Sequence, residues 1–401
     1  MTENNIFKIF IKYTSFNVLG MIALSCYIFA DTLFISMGIG IDGLTAINLA
    51  LPIFSLVNGS GLMIGMGGGT KYTLAVSRGK QQEGNKIFTN TLYMTAIFGI
   101  VFVILGIFFS GNIATLLGAD EQVMANTEIY LKMLLIFSPA FILNNIVQCF
   151  VRNDGAPHLS MIAMIVGSMS NMFLDWLFIF PFGMGMFGAV LATCLSPVFS
   201  LILTMQYFIR KKNTFHVVKT KISGKAIGGI IASGFPSFLT EISTGIVLIV
   251  FNFLFMKIAG NTGVAAYGVI ANLWFIVVSM FTGISQGMQP IMSHNYGKGK
   301  YGNVKKILKY GLILMGTFAA AIYAVMFFGS EYVAAIFNSE HNETLQYIAE
   351  EGLKLYYIAC PFVGFNIIIS IFFTSTEYPV PAHIISILRG FALIIPMAFI
   401  M

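Results

Sequence analysis

The sequence predicts an all-α integral membrane protein built from two homologous six-helix bundles related by a pseudo-two-fold, with about 11 spans present because the second bundle lacks its last helix. Three observations carry this. Charged residues make up 9% of the 401 and hydrophobic ones 57%, with a mean hydropathy of +0.85, whereas roughly a quarter of a soluble chain is charged. So few charges cannot form a water-facing shell, which excludes a secreted disulfide scaffold, a nucleic-acid-binding domain and most soluble enzyme classes. Apolar runs recur at the length of about 20 residues that a hydrocarbon core demands, and the chain repeats itself at a fixed offset.

The runs, taken in order, cover 14–38, 44–69, 90–110, 129–151, 158–180 and 186–209 in the first half. Those of the second half are 227–256, 264–291, 307–329, 352–375 and 382–401. Charge or clusters of Gly, Pro and Asn bound them. They are helices, because barrel strands would alternate over about ten residues while Thr95 to Phe109 is apolar throughout. The first run, preceded by Lys8 and Lys12, is too long for a signal sequence and carries Asp31. Gly65, Gly67, Gly68 and Gly69 lack the Lys and hydroxyl spacing of a phosphate loop, which removes an ATP-driven pump, and they read as helix packing and a helix end. Cys26, Cys149, Cys194 and Cys360 all lie within spans and read as small packing residues.

The repeat divides the chain. Leu131-Lys132-Met133, Pro139 and Pro157 correspond to Leu353-Lys354-Leu355, Pro361 and Pro379 at an offset of 222. At an offset of 220, Gly43, Ala46, Arg78-Gly79-Lys80 and Lys86-Ile87 meet Gly263, Ala266, Lys298-Gly299-Lys300 and Lys306-Ile307. Residues 1–209 then form a first lobe, 210–225 a basic linker and 226–401 a second lobe. Both copies start on the same side of the membrane, so the repeat is parallel. It calls for a twelfth helix, and a native product extending past Met401 is the expectation.

Orientation follows from the basic residues, which are retained on the cytoplasmic side. With the amino terminus inside, cytoplasmic segments hold 18 of the 22 Lys and Arg, including Lys71, Arg152, the block from Arg210 to Lys225 and Lys298 to Lys309. The opposite loops collect Asp42, Asp120, Glu121, Glu128, Glu331, Glu340, Glu343, Glu350 and Glu351. The net charge of +6 therefore records topology and no acidic or nucleic-acid partner.

A carboxylate within lipid costs roughly 2.5–3.5 kcal/mol on insertion scales, so each one retained marks a function. Asp31, Asp175 and Glu241 qualify. Asn171 shares a helix face with Asp175 four residues on, Asn144 and Asn145 follow Pro139, and Thr193 lies in span six. Such oxygens suit a hard cation such as sodium, and a carboxylate pair equally suits a proton. Asn and Thr within a membrane also bridge helices at well under ~2 kcal/mol per bond, the structural role for Asn144 or Thr193 taken singly.

The sequence resembles the multidrug and toxic compound extrusion (MATE) transporters, in the bacterial branch of MepA-like and DinF-like proteins. The resemblance lies in Ala30-Asp31-Thr32, in Asn171 to Asp175 running on to Phe187-Gly188-Ala189 and Ala192-Thr193, and in Gly287-Met288-Gln289-Pro290-Ile291 with Asn295-Tyr296-Gly297. It implies a cation site in the first lobe at Asp31, Asn145, Asn171, Asp175 and Thr193, able to hold sodium. It further implies a secondary proton or drug site at Glu241 and Gln289, and export of amphipathic organic cations by alternating access in exchange for sodium or protons. No cofactor other than the coupling ion is expected, and the expected form is a monomer in the bacterial plasma membrane. The first helix lacks the proline of some relatives, so any bend must arise at Gly20 or elsewhere. The runner-up is a lipid-linked oligosaccharide flippase of the same superfamily, which would want several cationic residues in its cavity, whereas only Arg389 falls inside a span. A membrane enzyme would want paired Asp motifs or a His and Glu metal set, and the five His are scattered.

Overall fold

The computed structural model describes residues 3–337 and 342–400; Glu340 and the end residues 1–2 and 401 of the two lobe assignments lie outside them. The chain is an all-α integral membrane protein. Ten helices among the described residues are long and apolar enough to cross a membrane, and Met124–Ile136 with Ser138–Asn153 makes an eleventh span bent by 48°. In order these are α1 (Glu3–Gly38), α2 (Ile41–Ser77), α3 (Gln81–Leu116), α4 (Met124–Ile136), α5 (Ser138–Asn153), α6 (Pro157–Ile179) and α7 (Gly185–Ile209). There follow α8 (Gly224–Gly260), α9 (Thr262–Gly297) and α10 (Tyr301–Phe328). A short α11 (Ser330–Phe337) then leads to α12 (Glu343–Tyr356), α13 (Cys360–Ser375) and α14 (Pro379–Ile400).

Several helices outrun their apolar stretches. At 1.5 Å per residue α2 is about 55 Å long against a core of about 30 Å, so its last turns lie beyond the lipid. Gly65 to Gly69 therefore do not end a helix, as the sequence suggested. They are buried in its interior, where Thr91, Asn145, Cys149, Asn153 and Ile230 press against them. Arg152 is a second correction. Far from sitting in a loop, it is inside α5 with 1% of its surface exposed.

The repeat is legible in the backbone. Gly40 (φ 89°) and Gly260 (φ 61°) both turn in the left-handed region, as do Gly79 (φ 79°) and Gly299 (φ 69°). The second pair closes matching turns, with Lys80 N donating to Ala75 O at 3.0 Å and Lys300 N to Asn295 O at 2.9 Å. Pro139 and Pro361 stand in the first turns of α5 and α13, each just after a break in the preceding helix. A missing N–H is harmless at that position. Two apolar cores result, one running from Ile35 to Ile230 and the other from Ala266 to Ile368. Ile6 and Phe10 of α1 are buried in the second core, so α1 spans both.

The segment between α7 and α8 lies as a strap along α3. Asn85 Oδ1, Thr89 Oγ1 and Asn90 Oδ1 accept from the backbone N–H of His216, Val218 and Ser223 at 3.0–3.1 Å. Phe215 is buried among Tyr72, Phe88, Phe150 and Phe208. Asp154 anchors the entry to this strap. It accepts from Tyr207 Oη and Thr214 N at 2.9 Å, from Tyr72 Oη at 3.3 Å, and from Thr214 Oγ1. Asp154→Ala is expected to lower stability by about 3 kcal/mol, since a bond to a charged group contributes about 1.5–3 kcal/mol and several are lost. Faster tryptic cutting at Lys211, Lys212 and Lys219 and a lower melting temperature would register it; wild-type values for both would refute the anchoring role.

Candidate functional site

Four polar side chains converge inside the first bundle. Asp31 comes from α1, Asn171 and Asp175 from one face of α6, and Thr193 from α7; their exposures are 7%, 0%, 0% and 3%. The Asp31 and Asp175 carboxyls lie within hydrogen-bonding reach of each other, 144 residues apart in sequence. With the amide nitrogen of Asn171 turned toward the carboxylate, it donates to Asp175 Oδ2 at 3.0 Å while its oxygen accepts from Thr193 N at 3.2 Å. Oδ1 of Asp31 and Oδ1 of Asp175 are both buried without a hydrogen-bond partner. Two neighbouring buried carboxyls cannot comfortably both be ionised in so dry a place unless a cation or a shared proton neutralises them. The two unpartnered oxygens suit such a guest.

Two residues that the sequence did not single out stand close by. Tyr27, one turn before Asp31, feels the charges of Asp31, Asp175 and Glu241, and Tyr130 those of the first two. The i, i+4 spacing of Tyr27 and Asp31 was the available signal.

Asn145 is held differently from the other four. Its Nδ2 donates to Asn58 Oδ1 at 2.9 Å and to Phe141 O at 3.2 Å. Asn58 Nδ2 in turn donates to Glu241 Oε1 at 2.8 Å. Asn145 thus reaches the acid of the second bundle through one intermediate, and among the described residues its amide donates to Asn58 and Phe141 and not to the Asp31 and Asp175 pair.

Gln289 is fully buried where the bundles meet, well away along α9 from any bond to Glu241. Its Nε2 donates to Thr70 Oγ1 at 2.9 Å, to Asn153 Oδ1 at 3.1 Å and to Ser293 Oγ at 3.3 Å, and its Oε1 accepts from Asn153 Nδ2 at 3.0 Å. Beside it, Arg152 donates from Nη1 to Asn17 Oδ1 at 2.7 Å and to Gln286 Oε1 at 3.0 Å. Lys71 and Arg78 pair with Glu377 across the same seam. These contacts, with Gly283 against Val18 and Gly287 against Thr14, close the bundles at the end bearing the basic loops. Among the described residues no hydrogen bond joins them farther toward the opposite end than Asn58 to Glu241. The conformation is therefore shut at the basic end.

The MatE family model matches residues 18–177 and 236–400. The chain is 29% identical to the multidrug export protein MepA of Staphylococcus saprophyticus over 360 residues, covering 89% of this chain and 79% of that protein. It is 28% identical to MepA of Staphylococcus aureus over the same coverage. Among solved structures, an outward-facing multidrug resistance MATE transporter of the MOP superfamily matches with a TM-score of 0.91 at 20% identity, over 98% of this chain and 88% of that one. A MOP superfamily transporter from Pyrococcus furiosus matches with a TM-score of 0.90 at 21% identity and the same coverage. These two likenesses establish the fold.

Proposed function

Because this chain belongs to the MatE family, we propose that it is a multidrug efflux antiporter. It exports amphipathic organic cations from the bacterial cytoplasm in exchange for sodium or protons and performs no covalent chemistry. The observation that carries the reading is the buried Asp31 and Asp175 pair with its two unpartnered oxygens. A guest cation relieves the repulsion between them, and it drives transport only by favouring one arrangement of the bundles over the other. The shut basic end supplies one arrangement; the other opens there. Asn171 and Thr193 orient Asp175, and Asn145 completes the cation site. Glu241, bonded to Asn58, is a secondary proton or drug contact, while Gln289 joins the bundles in the shut state. The coupling ion, sodium or a proton, is carried as a co-substrate, and the 39 Phe and 23 Met furnish polarizable surfaces that suit varied apolar cations.

The protein works as a monomer in the plasma membrane with the basic end in the cytoplasm. In a cysteine-free background, His216→Cys should stay unlabelled by an impermeant maleimide in intact cells and Glu121→Cys should react. The reverse pattern would invert the orientation. For the activity itself, ethidium efflux from vesicles is measured with sodium and proton gradients imposed separately. The gradient of the coupling ion, sodium or proton, should drive dye out; retention of dye under both rejects antiport.

A further inference from the structure

We infer that Asn58 is a positioning residue that links the acid of the second bundle to the cation site of the first, by passing hydrogen-bond polarity from Glu241 to Asn145. This rests on the reading above in which Asn145 contributes to the cation site. Asn58 lies on α2 and is the outermost hydrogen-bonded bridge between the bundles. Its two neighbours on the same helix make room for both partners. A Cβ on Gly59 would meet Glu241 Cβ at 3.3 Å, and one on Gly61 would meet Asn145 Nδ2 at 2.9 Å.

The chemistry of the three groups gives the link its direction. An ionised carboxylate only accepts hydrogen bonds. Glu241 in that state requires the NH2 group of Asn58, which turns Asn58 Oδ1 toward Asn145 and fixes Asn145 as donor, as observed. Asn145 Oδ1 then accepts no hydrogen bond among the described residues and remains a free oxygen for a cation. Once Glu241 takes up a proton it can donate to Asn58 Oδ1. Asn58 then turns its NH2 group to Asn145, whose oxygen must accept it, and a cation ligand is withdrawn. Proton uptake by Glu241 in one bundle thus opposes cation binding in the other, and by linkage a bound cation opposes that uptake by the same factor. Tyr27 feels the charge of Glu241, and Arg389 Nη2 donates to the Oγ1 of Thr240, next to Glu241 in sequence, at 2.7 Å.

The test is a mutant cycle on the full chain in proteoliposomes, reading the sodium concentration and the pH at half-maximal ethidium efflux. Glu241→Gln should shift the half-maximal sodium concentration, or the pH midpoint, by about fivefold in cation concentration or more, the size of coupling found between groups in one network. In an Asn58→Leu background the same Glu241→Gln change should move neither midpoint. Asn58→Ser, which is too short to bridge, repeats the arm should the Leu variant not fold. A structural role for Asn58 would lower efflux without abolishing the response to Glu241→Gln. An undiminished shift in both Asn58 backgrounds overturns the link. Asn145→Leu separates the premise: a cation dependence equal to wild type would overturn the site assignment of Asn145 and the link with it.

Discussion

Asp175→Asn is expected to reduce ion-driven ethidium efflux to the level of vesicles without the protein, and Asp31→Asn to do the same, while each retains ethidium binding within about threefold of wild type. The two carboxyls are buried and act on one another, so the guest between them is held mainly by opposite charge. Replacing either by a neutral amide removes the repulsion that the cation relieves, and with it the difference in cation affinity between the two bundle arrangements. A ligand with equal affinity for both states shifts neither, however tightly it binds. The amide is nearly isosteric, so folding should survive, and a monodisperse detergent preparation is the control. Wild-type efflux in both variants would remove the coupling role; loss of dye binding along with efflux would place the pair in the drug site.

The spans, the repeat and these two acids were all legible in the sequence for one reason. Lipid charges several kcal/mol for an unsatisfied polar group, so polar residues and turns are confined to where they serve a purpose and stand out. Asn171 followed from its spacing to Asp175. Asn58 did not, because an amide in a membrane helix is unremarkable by composition and its acidic partner lies 183 residues away. Arg152 was read as a loop residue because Asn153-Asp154-Gly155 follows it. In the folded chain it lies between the bundles, bonded to neutral amides of Asn17 and Gln286. Asp154 and Glu377 were likewise hidden, being acids at a basic end whose partners come from distant segments. The lengths of α2 and α3 were underestimated because their outer turns are polar, and hydropathy ends where the lipid ends and the helix does not.

Gly234→Ala should open the basic end of the protein and stop transport, a larger effect than any other single methyl group is expected to have here. α2 and α8 cross with backbones in direct contact: a Cβ on Gly234 would stand 1.8 Å from Met63 O, and one on Gly67 would stand 2.0 Å from Ile230 O. Both obstacles are backbone oxygens within helices, which no side-chain rotation can clear, so the helices themselves must part. Overpacking of this kind costs about 1–3 kcal/mol where the structure can yield, and here it yields along the seam between bundles, leaving each core intact. A penalty of that size on one of two arrangements changes their ratio by about 5–150-fold. Cys149 reports the change, being 2% exposed behind that seam and in contact with Arg152. With Cys26, Cys194 and Cys360 replaced by Ser, its maleimide labelling from the basic side should accelerate at least about fivefold in Gly234→Ala, with Gly67→Ala behaving alike. Labelling and efflux at wild-type rates in both variants would mean that this crossing does not set the balance between the two arrangements.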